Sequence, residues 1–502
     1  MKTKLLLLAF GFVLIATASY GQVSYDLPIE EHVFDNGLRL LLVERPDDHR
    51  VSAKIFTDFG AMVEEPGELG SAHFLEHLMF KGTRTLGTTD WEKEAPLVER
   101  LYELEAQLIA QMNKDRNAIR ERAVFHNDEW RGTTPEIEAI QQQIADIDKQ
   151  INATRDPGAV MRWYQAFGGT GLTATTEQEY MKFDIILPKE RVELFLRVEA
   201  DRMSNSVFRG FDEERMILVE QRYGDLNRLT TPYYEQMNAV VGLVHPVFWP
   251  EGYLPDFYQY TRTYEKDFYE RYFVVNNTTI VLIGGIDMAT AKPLVEKYFG
   301  WMERKPEPMR IKSVEPEPQA ERRLIYRSEE LAPRVEARFM IPGVGHEDRP
   351  VFDVMMEVGK RRLEDNLAKA GISGSVDVNT RVVHTSIFGV PGSINFALVV
   401  PENQVVRAEE ILLSTLEELK NAGPTSTELT VAQKRIKAQW ERTTLDASRL
   451  NFAIGHFQVM DEWGTLETYL NARAAVDEAA VQEVASTYFI PENRTIGQVI
   501  RP

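Results

Sequence analysis

The segment His73-Phe74-Leu75-Glu76-His77 brings three side chains suited to a metal site into five residues. On a helix, residues three and four apart share a face, so His73, Glu76 and His77 are expected to lie together. Two neutral imidazoles suit zinc, and a carboxylate beside a zinc-bound water can accept its proton. The chain has nine histidines in 502 residues, so this spacing rarely arises by chance. We therefore expect a hydrolytic metal site rather than a merely structural pair of histidines, and the order of the motif is the reverse of His-Glu-x-x-His.

The composition of the chain excludes several other classes of protein. Residues 1–22 predict a secretory signal, because a basic start at Lys2 and Lys4 precedes a short apolar run and then small residues. The apolar run is too short for a membrane span, and no later segment is long enough for one. The absence of cysteine excludes disulfides and thiolate zinc ligands. A net charge of −20 argues against nucleic-acid binding. We expect an exported protein, most simply in a Gram-negative periplasm.

The order of apolar segments predicts an α+β fold made of two similar domains. Residues 38–44 and 51–63 have the pattern of paired strands, and the metal-motif helix follows them directly. A proline-rich and charged segment at 303–319 indicates a stiff linker. Strand, strand and helix patterns then restart at residues 323–327, 334–341 and 348 onward, without a second metal motif. We predict a catalytic domain at 27–302 and a metal-free homologous domain at 320–502.

Residues 90–157 indicate a helical-hairpin insertion in the first domain. Apolar residues recur there at helical spacing, and the second run has a heptad pattern. The two runs comprise Leu97, Leu101, Leu104, Leu108 and Met112, and then Ile137, Ile140, Ile144, Ile147 and Ile151. The simpler interpretation is that the two helices only bury each other; the alternative is a docking arm for a partner.

A zinc held by two histidines needs a third protein ligand and an open position for water. The segment 212–222 offers Glu213, Glu214 and Glu220. Glu213 and Glu220 are seven residues apart and share one helical face. Glu220 has apolar neighbours, so we expect it to be more buried than Glu214. The residues alone leave open that these glutamates form only a solvated acidic face.

The chain resembles the pitrilysin–insulinase metallopeptidases, which include the mitochondrial processing peptidase. The resemblance covers nearly the whole mature chain, and the metal motif with its flanks is its most specific part. The matching segments are Asn36-Gly37-Leu38, His73 to Thr83, Gly168 to Gly171, Glu199 to Met203, Asn276-Asn277-Thr278 and Gly423-Pro424-Thr425.

The resemblance implies roles for individual residues. It makes His73 and His77 ligands of one Zn²⁺ per chain, and Glu76 the general base. Its third ligand is the later of two glutamates seven apart, which implies Glu220, with Glu213 supporting it from the outer shell. The substrate-binding edge strand of the family falls on Thr173, Ala174 and Thr175, where a threonine stands in place of the usual asparagine.

The implied function is zinc-dependent hydrolysis of peptides or unfolded polypeptides inside a closed chamber. Family members of this length form the chamber by pairing two subunits, so we expect a homodimer or, more simply, a heterodimer with a metal-free homologue. The family's arginine and tyrosine at the scissile carbonyl have no identifiable counterpart in 320–502. Two alternatives stay open: a non-catalytic peptide-binding scaffold, and a maturation protease dedicated to one peptide.

Overall fold

The computed structural model describes residues 27–122, 134–309, 313–381 and 391–502, with the side chains of 116–122 left out. The expected signal segment, residues 1–22, lies outside the described residues. Within them, no helix combines the length and the apolar character that crossing a bilayer requires. The chain forms two α+β halves, as expected, each built on one mixed sheet.

The first sheet has the strand order β1-β2-β6-β3-β5-β4. Strand β4 lies at one edge, and β2 runs parallel to β6, while the other neighbours are antiparallel. The strands are β1 Glu30–Val33, β2 Arg39–Glu44, β3 Arg50–Thr57, β4 Thr170–Thr176, β5 Met181–Pro188 and β6 Thr278–Gly284.

The second sheet repeats this arrangement with the order β7-β11-β8-β10-β9. Strands β7 and β11 are parallel, as β2 and β6 are, and β9 takes the edge position of β4. The strands are β7 Arg322–Arg327, β8 Arg334–Pro342, β9 Ser375–Arg381, β10 Pro391–Val399 and β11 Arg494–Ile500. The shared order shows that the two halves are copies of one topology, which confirms the two-domain fold expected from the sequence.

Two local expectations about the first strands are wrong. Strands β2 and β3 do not pair with each other, because β6 lies between them in the sheet. The strand expected over 51–63 ends at Thr57, and Ala61–Val63 forms a short 3₁₀ helix. The hydrophobic pattern identifies strands, but the choice of a neighbour depends on a segment more than two hundred residues away.

Helices cover both faces of the sheets. Those of the first half are α1 Ser71–Met79, α2 Trp91–Arg122, α3 Pro135–Asn152, α4 Ala159–Ala166, α5 Val192–Asn205, α6 Phe211–Leu226, α7 Thr231–Val241, α8 Leu254–Phe257, α9 Arg262–Tyr272 and α10 Met288–Phe299. Those of the second half are α11 Arg349–Lys369, α12 Val405–Ala422, α13 Ser426–Leu445, α14 Ala447–Met460, α15 Leu466–Ala474 and α16 Glu478–Tyr488. The described part of the linker, 303–309 and 313–319, contains neither helix nor strand.

Helices α2 and α3 form the expected antiparallel hairpin. Thr134, just before α3, donates a hydrogen bond to Asp115 near the end of α2. Most residues of the two apolar runs form a cluster of their own, in which Leu104 is fully buried. The buried Arg262 of α9 binds Glu105 at 3.0 Å and Asp148 at 2.8 Å, which fixes the hairpin to the domain. This packing is compatible with the simpler interpretation, and a docking arm for a partner stays an open alternative.

The two halves exchange a helix. Helix α7 of the first half packs on the second sheet, where Tyr233 contacts Val499. Helix α14 of the second half packs on the outer face of the first sheet, where Leu450 and Ile454 join the core. Asn451 of α14 donates hydrogen bonds to two carbonyl oxygens of that sheet, each at 2.8 Å. The halves are therefore held together as one unit.

Gly455 of α14 is expected to be intolerant of a side chain at this contact. A Cβ there would fall well inside van der Waals distance of the Phe56 ring on β3. Gly455→Ala should destabilise the protein by about 1–3 kcal/mol, the usual cost of overpacking. Gly464→Ala is the matched control, because no atom lies within 4 Å of its added Cβ. Thermal unfolding checks both, and equal melting temperatures for the two variants would contradict the tight contact.

Candidate active site

Helix α1 is held in place by a buried carboxylate at its start. Glu64 is 1% exposed, and its two oxygens accept hydrogen bonds from the amides of Gly70 and Ala72 at 2.7 and 2.8 Å. Gly70 is left-handed, with φ of 104°. Ser71 is suited to capping a helix by its residue type, but it lies inside the helix and its hydroxyl bonds the Glu68 carbonyl. Buried Phe74, Leu75 and Leu78 on the other faces then fix the rotation of α1.

That rotation places the two histidines of the motif side by side. The rings of His73 and His77 have centroids 4.8 Å apart and planes at 83°. Among the described residues, the imidazole ring of His73 has no hydrogen-bond partner. His73 is exposed to solvent, but desolvation by the surrounding protein atoms, and then the neighbouring His77, lowers the pKa of His73 to about 4. The ring is therefore neutral at physiological pH, which is the form that binds a metal.

Glu76 opens into a cavity of about 280 Å³ beside the histidines. Its Oε2 accepts a hydrogen bond from the Thr176 hydroxyl at 2.7 Å. Burial raises the pKa of this carboxyl, so its proton affinity is increased. The cavity is lined by Ala61, Glu64, Gly70, His73, Glu76, Ala174, Thr175, Thr176, Glu177 and Glu251. The carboxyl of Glu76 and the imidazole of His73 thus face one cavity.

Strand β4 borders this cavity and has a free edge. Of the residues expected to bind substrate, Ala174 and Thr175 line the cavity, whereas Thr173 is exposed and does not. Within the described residues β4 pairs only with β5, so its outer backbone groups are open. Such an edge can accept an extended peptide as an additional strand. Thr176, which donates a hydrogen bond to Glu76, was not among the residues expected to bind substrate.

The carboxylate that reaches the histidines comes from Glu214 of α6. Its Oε2 lies 3.1 Å from Nδ1 of His77, and its Oε1 pairs with the Lys81 ammonium. Glu214 is 3% exposed, whereas Glu220 is exposed, so the expected order of burial is wrong. Hydrogen bonding to His77 and Lys81 outweighs burial and lowers the pKa of Glu214.

Helical phase explains why Glu220 lies away from the site. Six residues after Glu214, it points about 120° away at ~100° per residue. The face of Glu214 carries Gln221 and Asp225 on the following turns, and the charge of Asp225 acts on the pKa of His73. On this face Gln221 carries an amide, whereas a carboxylate at the same position could act as the third metal ligand. Among the described residues, no group of three or more metal-binding side chains is assembled.

The donor set therefore fits zinc in part. Two imidazoles and a carboxylate that orients one of them are typical of a zinc site. Among the described residues a third protein ligand is not assembled. Glu220 is exposed on another face of α6, so its expected role as that ligand stays a prediction and would require a rotation of the helix. Glu213 binds Arg155 at 2.9 Å, close to the end of the hairpin, and its expected outer-shell role also stays a prediction.

The second half also reaches the cavity. Arg381, the last described residue of β9, lies 3.7 Å from Glu251 of the cavity wall. Sequence patterns did not indicate Glu64, Glu251 or Arg381, because these residues come from loops and strand ends that only the fold brings together. Glu214 was among the candidate ligands in the sequence. The four residues Met216 to Val219, which follow soon after it, are all apolar, so the sequence does not show which face of the helix is buried.

Known protein families match both halves of the chain. Residues 39–99 match the model described as insulinase (peptidase family M16). Residues 260–436 match the model described as the peptidase M16 inactive domain. A curated relative, an uncharacterized zinc protease from Rickettsia bellii, is 46% identical over 50 residues. That match spans 10% of this chain and 12% of the relative.

Solved structures share the fold over almost the whole chain. A protease from Helicobacter pylori has a TM-score of 0.75 at 17% identity and covers 95% of this chain and 100% of its own. A peptidase M16 inactive domain from Pseudomonas fluorescens has a TM-score of 0.70 at 12% identity, covering 95% and 98%. The periplasmic protease PqqL from Escherichia coli has a TM-score of 0.69 at 16% identity, covering 95% of this chain and 48% of PqqL.

Proposed function

Because the chain belongs to the pitrilysin–insulinase family of peptidases, we propose that it is a zinc-dependent endopeptidase. The observation that carries this proposal is the shared cavity, in which Glu76 and His73 meet the free edge strand β4. Peptides and unfolded polypeptides can add to such an edge through main-chain hydrogen bonds, whereas folded proteins cannot.

The residues of the chain have distinct roles in this reaction. His73 and His77 would hold the zinc, and Glu214 would orient His77 by accepting a hydrogen bond from its Nδ1–H group. Zinc bound there would supply a Lewis acid for the scissile carbonyl and acidify the attacking water. Glu76 takes a proton from that water and returns it to the leaving amine. Thr176 holds the Glu76 carboxylate toward the substrate strand.

Removal of the metal is expected to abolish peptide hydrolysis reversibly. A quenched fluorogenic peptide mixture is incubated with the protein before and after chelation, and then after addition of zinc. Turnover should be lost with the chelator and restored by about one zinc per chain, measured by elemental analysis. Magnesium serves as the control metal, because imidazole ligands select against it. Full turnover by the metal-free protein would contradict the proposal.

A non-catalytic peptide-binding role is the second candidate. It is favoured by the missing third ligand among the described residues and by the amide at Gln221. The edge strand would still bind peptides in such a protein. Binding of a labelled peptide without turnover, in a protein that retains no zinc, would support this candidate over the first.

The remaining expectations are part of the same proposal. The open edge of β4 requires a cover if hydrolysis takes place in a closed chamber, and a second subunit of this architecture, identical or metal-free, would provide it. We also retain export to the periplasm as a proposal. A third candidate, a maturation protease for one peptide, differs only in specificity, and cleavage of a random peptide library separates it from a broad endopeptidase.

A further inference from the structure

The outer face of the first sheet carries a second, larger cavity. It measures about 720 Å³ and lies between the sheet and helices α13, α14 and α15 of the second half. Cavities of this size are typical of ligand sites. Six rings line it: Tyr180, Trp440, Phe452, His456, Phe457 and Tyr469. None of these residues has a role in the proposed reaction.

The cavity adjoins the substrate edge. Thr175 of β4 and the neighbouring Glu177 line both cavities. The strand register shows how one strand serves two faces, because Thr175 lies opposite Lys182 and Thr176 lies opposite Met181. Lys182 lines the outer cavity, and Met181 belongs to the inner core.

A peptide added to β4 must follow the same alternation. Side chains opposite Ala174 and Thr176 point to the inner face, where Thr176 contacts Glu76. The side chain opposite Thr175 points to the outer face, toward the large cavity. In the bound peptide, the two residues on either side of the one that faces Glu76 therefore point to the outer face of the sheet.

The polar groups at the base of the outer cavity are already paired. Lys54 donates to Asp184 at 2.7 Å and to Ser448 at 3.1 Å. Lys182 donates to the other oxygen of Asp184 at 2.8 Å. Lys54 and Asp184 are 3% and 8% exposed. A carboxylate entering the cavity would find the ammonium groups engaged and would pass Glu177. Two arginines of the wall are also paired, Arg473 with Asp353 at 3.1 Å and Arg449 with Asp446 at 4.0 Å.

We propose that this outer cavity is a specificity subsite for a large aromatic side chain of the substrate, at a position next to the residue that faces Glu76. The rings of its wall offer edge-to-face contacts, as between Tyr180 and His456 with centroids 5.6 Å apart. The inference rests on the proposed function, because it assumes that substrate adds to β4.

The test uses matched peptides that differ at the positions flanking the scissile bond, with phenylalanine, alanine or aspartate. The phenylalanine peptide should exceed the alanine peptide in kcat/KM by about 10- to 200-fold at one position, the usual range for an apolar pocket. Phe452→Ala and Ala453→Trp, which remove a ring and fill the cavity, should reduce this ratio to near unity. Phe167→Ala is the control, since Phe167 is similarly exposed but lies outside the cavity, and it should keep the ratio.

A binding experiment separates this inference from the peptidase proposal. The same peptides, fluorescently labelled, are bound to the Glu76→Gln variant and followed by anisotropy. A preference for phenylalanine that Phe452→Ala removes would support the subsite even if no variant cleaves any peptide. Equal affinity for all three peptides, a preference for aspartate, a preference that survives both cavity variants, or no binding at all would overturn it.

Discussion

Glu76→Gln is expected to lower kcat by about 10²- to 10⁴-fold, the range for loss of a general base. The amide keeps the shape of the side chain and can still accept the hydrogen bond from Thr176. It cannot take a proton from the attacking water. Zinc content and the affinity for peptide should therefore stay as in the unmodified protein. Steady-state kinetics on a fluorogenic peptide, together with elemental analysis, measure these quantities.

The control for this variant is Glu65→Gln. Glu65 is exposed and does not line the cavity, so kcat should be unchanged. If Glu76→Gln keeps full kcat with zinc bound, Glu76 is not the base. If it loses zinc together with activity, the loss reports a change in the metal site instead, and the kinetic result no longer bears on proton transfer.

The fold could be predicted from the sequence where local periodicity decides it. Strand segments such as Arg334–Pro342 and the seam of the hairpin follow from alternation and heptad spacing alone. The strand order could not be predicted, since β6 inserts between β2 and β3 only through a contact of long sequence separation. Strand β4 is polar, and its residues alone gave no strand pattern.

The site could be predicted where one helix supplies it. His73, Glu76 and His77 share a face because their spacing fixes the helical phase, and the structure places them at one cavity or beside it. Which carboxylate of α6 faces the histidines could not be predicted, because it depends on how α6 packs against α1. Leu218 and Val219 are both buried, and this selects the face of Glu214. The reciprocal packing of α7 and α14 had no signal in the sequence.

The zinc affinity of the histidine pair is expected to depend on Glu214 more than on Glu220. Glu214→Gln removes the acceptor charge that orients His77, and loss of such a partner typically weakens metal binding by about 10- to 100-fold. Glu220→Gln, an equally conservative change on the exposed face, should leave zinc affinity unaltered. Lys81→Met is a further control, because it breaks the ion pair with Glu214 but leaves the hydrogen bond to His77. Competition with a zinc chelator measures all three variants.

A larger loss of zinc affinity in Glu220→Gln than in Glu214→Gln would support Glu220 as the third ligand. If Glu220→Gln loses zinc and Glu214→Gln retains it, α6 must be rotated in the zinc-bound protein relative to the arrangement described above. Gln221→Glu provides an independent check, because Gln221 lies seven residues after Glu214 and shares its face. A carboxylate at that position should tighten zinc binding if this face of α6 is the one that meets the histidines, and should have no effect if the face of Glu220 does.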